Sequence, residues 1–139
     1  MEPAAVEARL RAEGCSVTAQ RRAIVLFLHD NPTHPTAGDV LAAVTREHPQ
    51  ASRATVYNTL ALLLRVGAVR VLPHEAGEAR YDPNLRPHHH AVCPTCGVLQ
   101  DVPEESVEVL LNGLRTPAAV RFELPCAACP PTRGPNSHR

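Results

Sequence analysis

Two C-x-x-C pairs, Cys93 with Cys96 and Cys126 with Cys129, carry the strongest chemical signal in the chain. Zinc prefers four thiolates at the corners of a tetrahedron, and a two-residue gap lets a tight turn aim both sulfurs of a pair at one ion. Gly97 follows the first pair, where such a knuckle needs it, and Pro94 and Pro130 stiffen the two neighbourhoods. The 29 residues from 97 to 125 between the pairs exceed the span of a compact zinc ribbon. An ion held here would tie the first strands of a domain to its C-terminal end. A redox pair and unrelated buried thiols are the competing readings; two pairs without a thioredoxin-like βαβ context favour structural zinc. Such an ion contributes on the order of 10 kcal/mol to the folding of a small domain. Cys15, the fifth cysteine, stands alone beside Val17 ahead of an apolar helix and reads as a small buried hydrophobe.

The run His88-His89-His90 is the second signal. On a strand, side chains alternate between faces, so His88 and His90 share one face while His89 and Cys93 share the other. The histidine and thiolate sites should therefore be distinct. A His-x-His pair on an extended segment suits bidentate metal binding; a solvated run, or His89 as the ligand, are the alternatives. Asp82 upstream and Asp101 downstream add carboxylates, and a mixed imidazole and carboxylate site suits iron(II), manganese(II) or zinc. His34, alone in the turn Thr33-His34-Pro35-Thr36, reads by itself as a surface histidine next to a helix.

These residues need elements to place them, and the first half of the chain offers four helical patterns. A short one near Val6 to Ala12 stops at Gly14. A second is capped by Thr18, carries Ile24, Val25 and Leu28 on its apolar side, and ends at Asn31-Pro32. A third starts at Thr36, buries Val40, Leu41 and Val44, and closes at His48-Pro49. The fourth is capped by Ser52 and shows a seam of Val56, Leu60 and Leu63 running to Gly67. Its other side presents Ala54, Asn58, Ala61 and Arg65, with Arg53 and Tyr57 flanking, which suits a major groove, with Thr55 near phosphate; an ordinary solvated face is the plainer reading.

After Gly67 the period changes to that of strands, Ala68 to Leu72, a turn from Pro73 to Gly77, then Glu78 to Tyr81. Three helices and a hairpin in this order make a winged helix. Beyond the turn-rich Asp82 to Pro87 the chain reads as short strands (Ala91-Val92, Val98 to Val102), a helix from Glu104 to Leu114, and a strand from Ala119 to Leu124. The expected fold is α+β: a winged helix-turn-helix domain over residues 1–82, a hinge at 83–87, a second α/β domain over 88–130, and a disordered tail at 131–139.

Formal charge sums to zero, and all 14 basic residues are arginine. Overall charge therefore says nothing about a polyanion partner. From Ser16 to Leu72, Arg21, Arg22, Arg46, Arg53, Arg65 and Arg70 outnumber Asp30, Asp39 and Glu47, a weak asymmetry that favours the first half as the DNA-facing part. With no run of about 18 apolar residues and an acidic, charge-alternating start, a cytoplasmic location and no membrane partner are expected.

At this point the residues resemble the ferric uptake regulator (Fur) superfamily, in particular its peroxide-sensing, PerR-like branch. The matching motifs are Thr18-x-Gln20-Arg21, His34-Pro35-Thr36-Ala37-x-Asp39-Val40, Ser52-x-Ala54-Thr55-Val56-Tyr57-Asn58-Thr59-Leu60, Gly67-Ala68-Val69, Arg80-Tyr81-Asp82 and His88-x-His90-Ala91-Val92-Cys93-x-x-Cys96-Gly97. The resemblance implies a regulatory site of His34, Asp82, His88, His90 and Asp101 for iron(II) or manganese(II), with structural zinc on Cys93, Cys96, Cys126 and Cys129. It further implies that 88–130 is a metal-sensing and dimerisation domain, with DNA contacts from Arg21, Ser52, Arg53, Thr55, Tyr57 and Asn58, a homodimer on an inverted-repeat operator, and repression relieved when peroxide oxidises His34 or His88. Aspartate at 101 follows the peroxide sensors, whereas many iron-uptake regulators carry glutamate there. Ser16 stands where the family usually has a basic residue. Residues 121–126 make a shorter approach to the second pair and lack a nearby histidine, so no third metal site is expected. Other readings are a same-fold regulator of manganese, iron or zinc supply without peroxide chemistry, a zinc-stapled winged helix that senses nothing, and a small metallohydrolase. The last lacks a dedicated base and leaves the winged helix unexplained, so no enzyme is expected.

Overall fold

The computed structural model describes residues 2–72, 77–115 and 119–129. The chain divides into two compact units, Met1–Leu85 and Arg86–Arg139. The expected tail at 131–139, and all of the expected Pro73 to Gly77 turn but Gly77, lie outside the described residues.

The first unit contains α1 (Pro3–Ala12), α2 (Ala19–Leu28), α3 (Ala37–Val44) and α4 (Arg53–Arg65), followed by β1 (Arg70–Leu72) and β2 (Arg80–Asp82). Each of the three hydroxyls expected to cap a helix does so. Thr18 accepts from the Arg21 N–H at 3.2 Å and Ser52 from the Thr55 N–H at 3.1 Å. Thr36 forms a reciprocal box with Asp39, accepting from its N–H at 3.1 Å while the Asp39 carboxylate takes the Thr36 N–H at 2.9 Å. The far end of α4 is closed by Gly67 at φ 65°, with Gly67 and Ala68 N–H groups bonded to Leu64 and Leu63 carbonyls. That left-handed terminator favours glycine and turns the chain directly into β1.

The helices bury one face each: Leu10, Ile24, Val40, Val56, Leu60 and Leu63 are sealed in a single core. The α4 seam is the one its spacing predicts, which leaves Arg53, Ala54, Tyr57, Asn58 and Ala61 exposed on the opposite side. β1 and β2 pair antiparallel, with Val71 opposite Tyr81.

In the second unit, β3 (His88–Val92) lies between β4 (Leu99–Pro103) and β7 (Arg121–Glu123). β4 is antiparallel and sets His90 opposite Asp101; β7 is parallel and sets Ala91 opposite Phe122. The expected helix from Glu104 to Leu114 is not formed. A single 3-10 turn spans Glu104–Ser106, and β5 (Leu110–Leu111) and β6 (Leu114–Arg115) make a small hairpin. Its cause is local: Asn112 and Gly113 both take positive φ, 53° and 77°, as a two-residue type I′ turn requires. The acidic and apolar residues around 104–111 mimic a helical period, but the Asn-Gly turn decides the outcome. No helix among the described residues is long and apolar enough to cross a membrane.

Candidate metal centres

The four thiols expected to share an ion are brought together in the second unit. Cys93 directly follows β3, and the turn after it is closed by the Gly97 N–H on the Cys93 carbonyl at 2.8 Å, with Gly97 at φ 73°. The second pair reaches the same place because the parallel pairing of β7 continues through the Leu124 N–H to the Val92 carbonyl at 3.0 Å. A second tight turn, the Cys129 N–H on the Cys126 carbonyl at 2.9 Å, doubles the arrangement. One sulfur from each cysteine lies within 4.8 Å of all the others.

The Cys96 and Cys126 sulfurs are 3.7 Å apart. Four sulfurs placed about 2.3 Å from a central zinc stand roughly 3.8 Å from one another, so the spacing fits that ion. The protonation pattern points the same way. Backbone N–H groups of Cys126, Cys96 and Thr95 hold the Cys93 thiol down at about 6. The neighbouring Cys96 and Cys126 thiols push Cys129 up to about 12. At Cys96 the Val98 N–H favours the thiolate, but the Cys93 and Cys126 thiols outweigh it and the net shift is upward. Four thiolates therefore repel one another until a divalent cation offsets the charge.

On one face of the same sheet, β3 and β4 converge three donors. The Nδ1 of His88 lies 2.7 Å from the Arg86 carbonyl. A carbonyl only accepts, so Nδ1 carries the proton and Nε2 is the acceptor nitrogen. A second-sphere bond of this kind commonly orients a metal-ligating imidazole. The Nε2 atoms of His88 and His90 are 2.9 Å apart. Asp101 Oδ1 is 3.3 Å from the first and 3.6 Å from the second. His89 points the other way, as strand alternation predicts, and its Nδ1 accepts the Val120 N–H at 3.1 Å. It thereby helps dock the approach to β7 onto β3.

In the first unit, His34 and Asp82 form a buried pair, with His34 Nε2 4.0 Å from Asp82 Oδ1 and each side chain 1% exposed. Asp82 Oδ1 also accepts the Asn84 N–H at 2.8 Å. His34 is thus not the surface histidine its isolated position suggests. Its main chain sits at φ 50° and its carbonyl accepts from Arg80 Nη1 at 3.1 Å. Arg80 was visible in the sequence as a motif neighbour of Asp82, with nothing to mark what it touches.

Of the residues expected to face DNA, Arg53, Tyr57 and Asn58 are exposed on α4. Ser52 and Thr55 are engaged with each other, their hydroxyls 3.0 Å apart at the start of that helix. Arg21 folds back, donating from Nη1 to the Ser16 carbonyl at 2.6 Å. Cys15 packs partly buried against the core, with Arg65 Nη2 3.7 Å from its sulfur.

Comparison with known proteins places this geometry. The model of the ferric uptake regulator family matches residues 12–120. The peroxide-responsive repressor PerR of Staphylococcus saprophyticus is 38% identical over 92 residues, covering 66% of this chain and 62% of that protein. Its Staphylococcus aureus counterpart is 37% identical over 94 residues, covering 68% and 64%. The chain thus spans less than two thirds of the length of these relatives. Among solved structures, the Campylobacter jejuni peroxide stress regulator aligns with a TM-score of 0.61 at 25% identity, covering 93% of this chain and 100% of that one. The Helicobacter pylori ferric uptake regulator Fur, described as having three functional metal binding sites, aligns with a TM-score of 0.73 at 17% identity, covering 96% and 97%.

Proposed function

Because the chain belongs to the ferric uptake regulator family, we propose that it is a metal-dependent DNA-binding repressor that releases its operator when hydrogen peroxide oxidises a ligand histidine. The observation that carries the reading is the convergence of His88 Nε2, His90 Nε2 and Asp101 Oδ1, with His88 already oriented through Arg86. Borderline nitrogen and hard oxygen donors together suit iron(II) or manganese(II) and leave the soft thiolates to zinc.

In this reading His34 and Asp82 complete the regulatory site with His88, His90 and Asp101, and Cys93, Cys96, Cys126 and Cys129 hold structural zinc. His34 belongs to the DNA-binding half and His88, His90 and Asp101 to the sensing half, so occupancy favours one arrangement of the protein over others. The chain acts as a homodimer, with residues 1–82 binding DNA, 88–130 sensing and pairing, and 83–87 as the hinge. The α4 helix enters the major groove, where Tyr57, Asn58 and Arg53 reach base edges and Ser52, Thr55 and Arg21 approach phosphates. Two such helices, one DNA turn or about 34 Å apart, match an inverted repeat. When bound, iron(II) would activate peroxide for a net two-electron transfer of one oxygen to a ligand imidazole, the other oxygen leaving as water. An oxidised His34 or His88 ring is a poorer donor, and the arrangement that favours DNA loses its support. A repressor that binds DNA works in the cytoplasm.

The test combines metal analysis of the purified protein with binding to a panel of inverted-repeat duplexes, in iron(II) and in manganese(II), before and after peroxide. The expected result is metal-dependent binding in both. Peroxide is expected to abolish binding only in the iron form, with one added oxygen mapping to His34 or His88. Release without oxidation of either histidine sinks the peroxide reading. Equal, peroxide-insensitive responses to both metals would instead make the protein a regulator of metal supply, which the same donors also suit.

A further inference from the structure

β2 carries more than Asp82. Arg80, two residues earlier on the strand, donates from Nη1 to the His34 carbonyl at 3.1 Å. The Tyr81 N–H donates to the Pro35 carbonyl at 2.9 Å, and Thr36 and Arg80 form an antiparallel bridge. Three successive residues of the His34 turn are therefore fastened to one three-residue strand. The Arg80 side chain is half-buried, and its charge acts on Asp39, which is itself anchored on Thr36.

The turn needs that fastening. His34 lies at φ 50°, in the left-handed region that residues other than glycine seldom occupy. Pro35 follows it, and a proline biases the preceding residue towards extended backbone. A strained conformation at a ligand position persists only when its surroundings over-determine it. Released from β2, the turn would relax towards the extended form and carry the imidazole away from Asp82.

We infer that Arg80 is a positioning residue for the regulatory ion: by holding the His34 carbonyl it keeps the His34 imidazole beside Asp82 before any ion arrives. This rests on the assignment of His34 and Asp82 as ligands made above. Preorganisation of this kind raises affinity by removing the cost of ordering the site at the moment of binding.

The experiment uses full-length, zinc-loaded protein and manganese(II) alone as the probe. Affinity is measured by chelator competition for wild type, Arg80→Met, Arg80→Lys and His34→Ala. The N–H to Hα coupling of His34 in manganese-free protein reports its φ. Arg80→Met is expected to bind manganese about tenfold more weakly, equivalent to about 1.4 kcal/mol, with the His34 coupling moved to an extended value. Arg80→Lys is expected to fall between, because an ammonium still donates to the carbonyl but lacks the planar fork. Wild-type affinity and coupling in Arg80→Met overturn the inference, and so does a lowered melting temperature with unchanged affinity. Should Arg80→Met fail to fold, wild-type values of both measurements in Arg80→Lys overturn it equally. His34→Ala separates the two levels. If it binds manganese like wild type, the ligand assignment has failed; if it loses the ion while Arg80→Met keeps it, only the positioning role has.

Discussion

Removing the thiol-bound ion should unfold the second unit while leaving the first intact. All residues of the contiguous apolar core belong to the first unit. Among the described residues of the second, the buried apolar side chains other than cysteine are Ala91 and Leu99. Burying a leucine contributes about 1.5–3 kcal/mol and an alanine about 1 kcal/mol or less. Ordering even the thirteen residues of β3, β4 and β7 costs roughly 1–2 kcal/mol each before hydrogen bonds and other packing are credited. The apolar side chains alone therefore fall short by about 10 kcal/mol or more, the scale on which structural zinc contributes. The assay is hydrogen exchange on reduced protein with and without a strong zinc chelator. Chelation should abolish protection at β3, β4 and β7, while α2, α3 and α4 keep theirs. Cys126→Ser should behave like the chelated wild type. Persistent protection of β3 in reduced, zinc-free protein would refute the reasoning and show that the sheet stands on its own.

Three further outcomes follow from local chemistry. Zinc binding at pH 7 should release at least two protons, since cysteine thiols of an unfolded zinc-free unit titrate near the ordinary value of about 8.5, and the apparent zinc affinity should rise by about a hundredfold or more per pH unit near neutrality; an indicator dye in weak buffer counts the protons. Gly38→Ala should stabilise the first unit by a few tenths to about 1 kcal/mol, because an added Cβ meets only the Glu78 and Thr36 side-chain oxygens, at 3.5 and 3.6 Å; urea denaturation measures it. Asp39→Ala should destabilise by about 1 kcal/mol at neutral pH through loss of the box with Thr36. The Thr36 N–H and hydroxyl lower the folded Asp39 value, so that stabilisation is complete above the unfolded value near 4 and disappears as pH falls through the lower folded one. Wild type and Asp39→Ala should therefore converge in acid melts.

Much of this was legible from residue types because the physics was local. Thr18, Thr36 and Ser52 announce helix starts, and two-residue spacing aims paired sulfurs. Strand alternation puts His89 on the face opposite His88 and His90. Residues 104–114 show an apparent helical period, but Asn112-Gly113, a turn signal present in the chain, overrides it. His34 shows a different limit. Neither its burial nor its left-handed backbone follows from its neighbours in sequence, because both depend on contacts with a strand more than forty residues away. Arg80 was opaque for the same reason.

β3 serves two masters, since its early residues supply the imidazoles proposed to bind the regulatory ion and its last neighbour, Cys93, belongs to the knuckle. A slip of one residue against β4 would set His89 or Ala91 opposite Asp101 in place of His90. The thiol cluster pins the end of the strand and so fixes this register. In logical terms, the proposed switch is an AND gate wired through a single strand. The operator would be occupied only when both inputs are satisfied, and a molecule starved of zinc would give the same output as one starved of its effector.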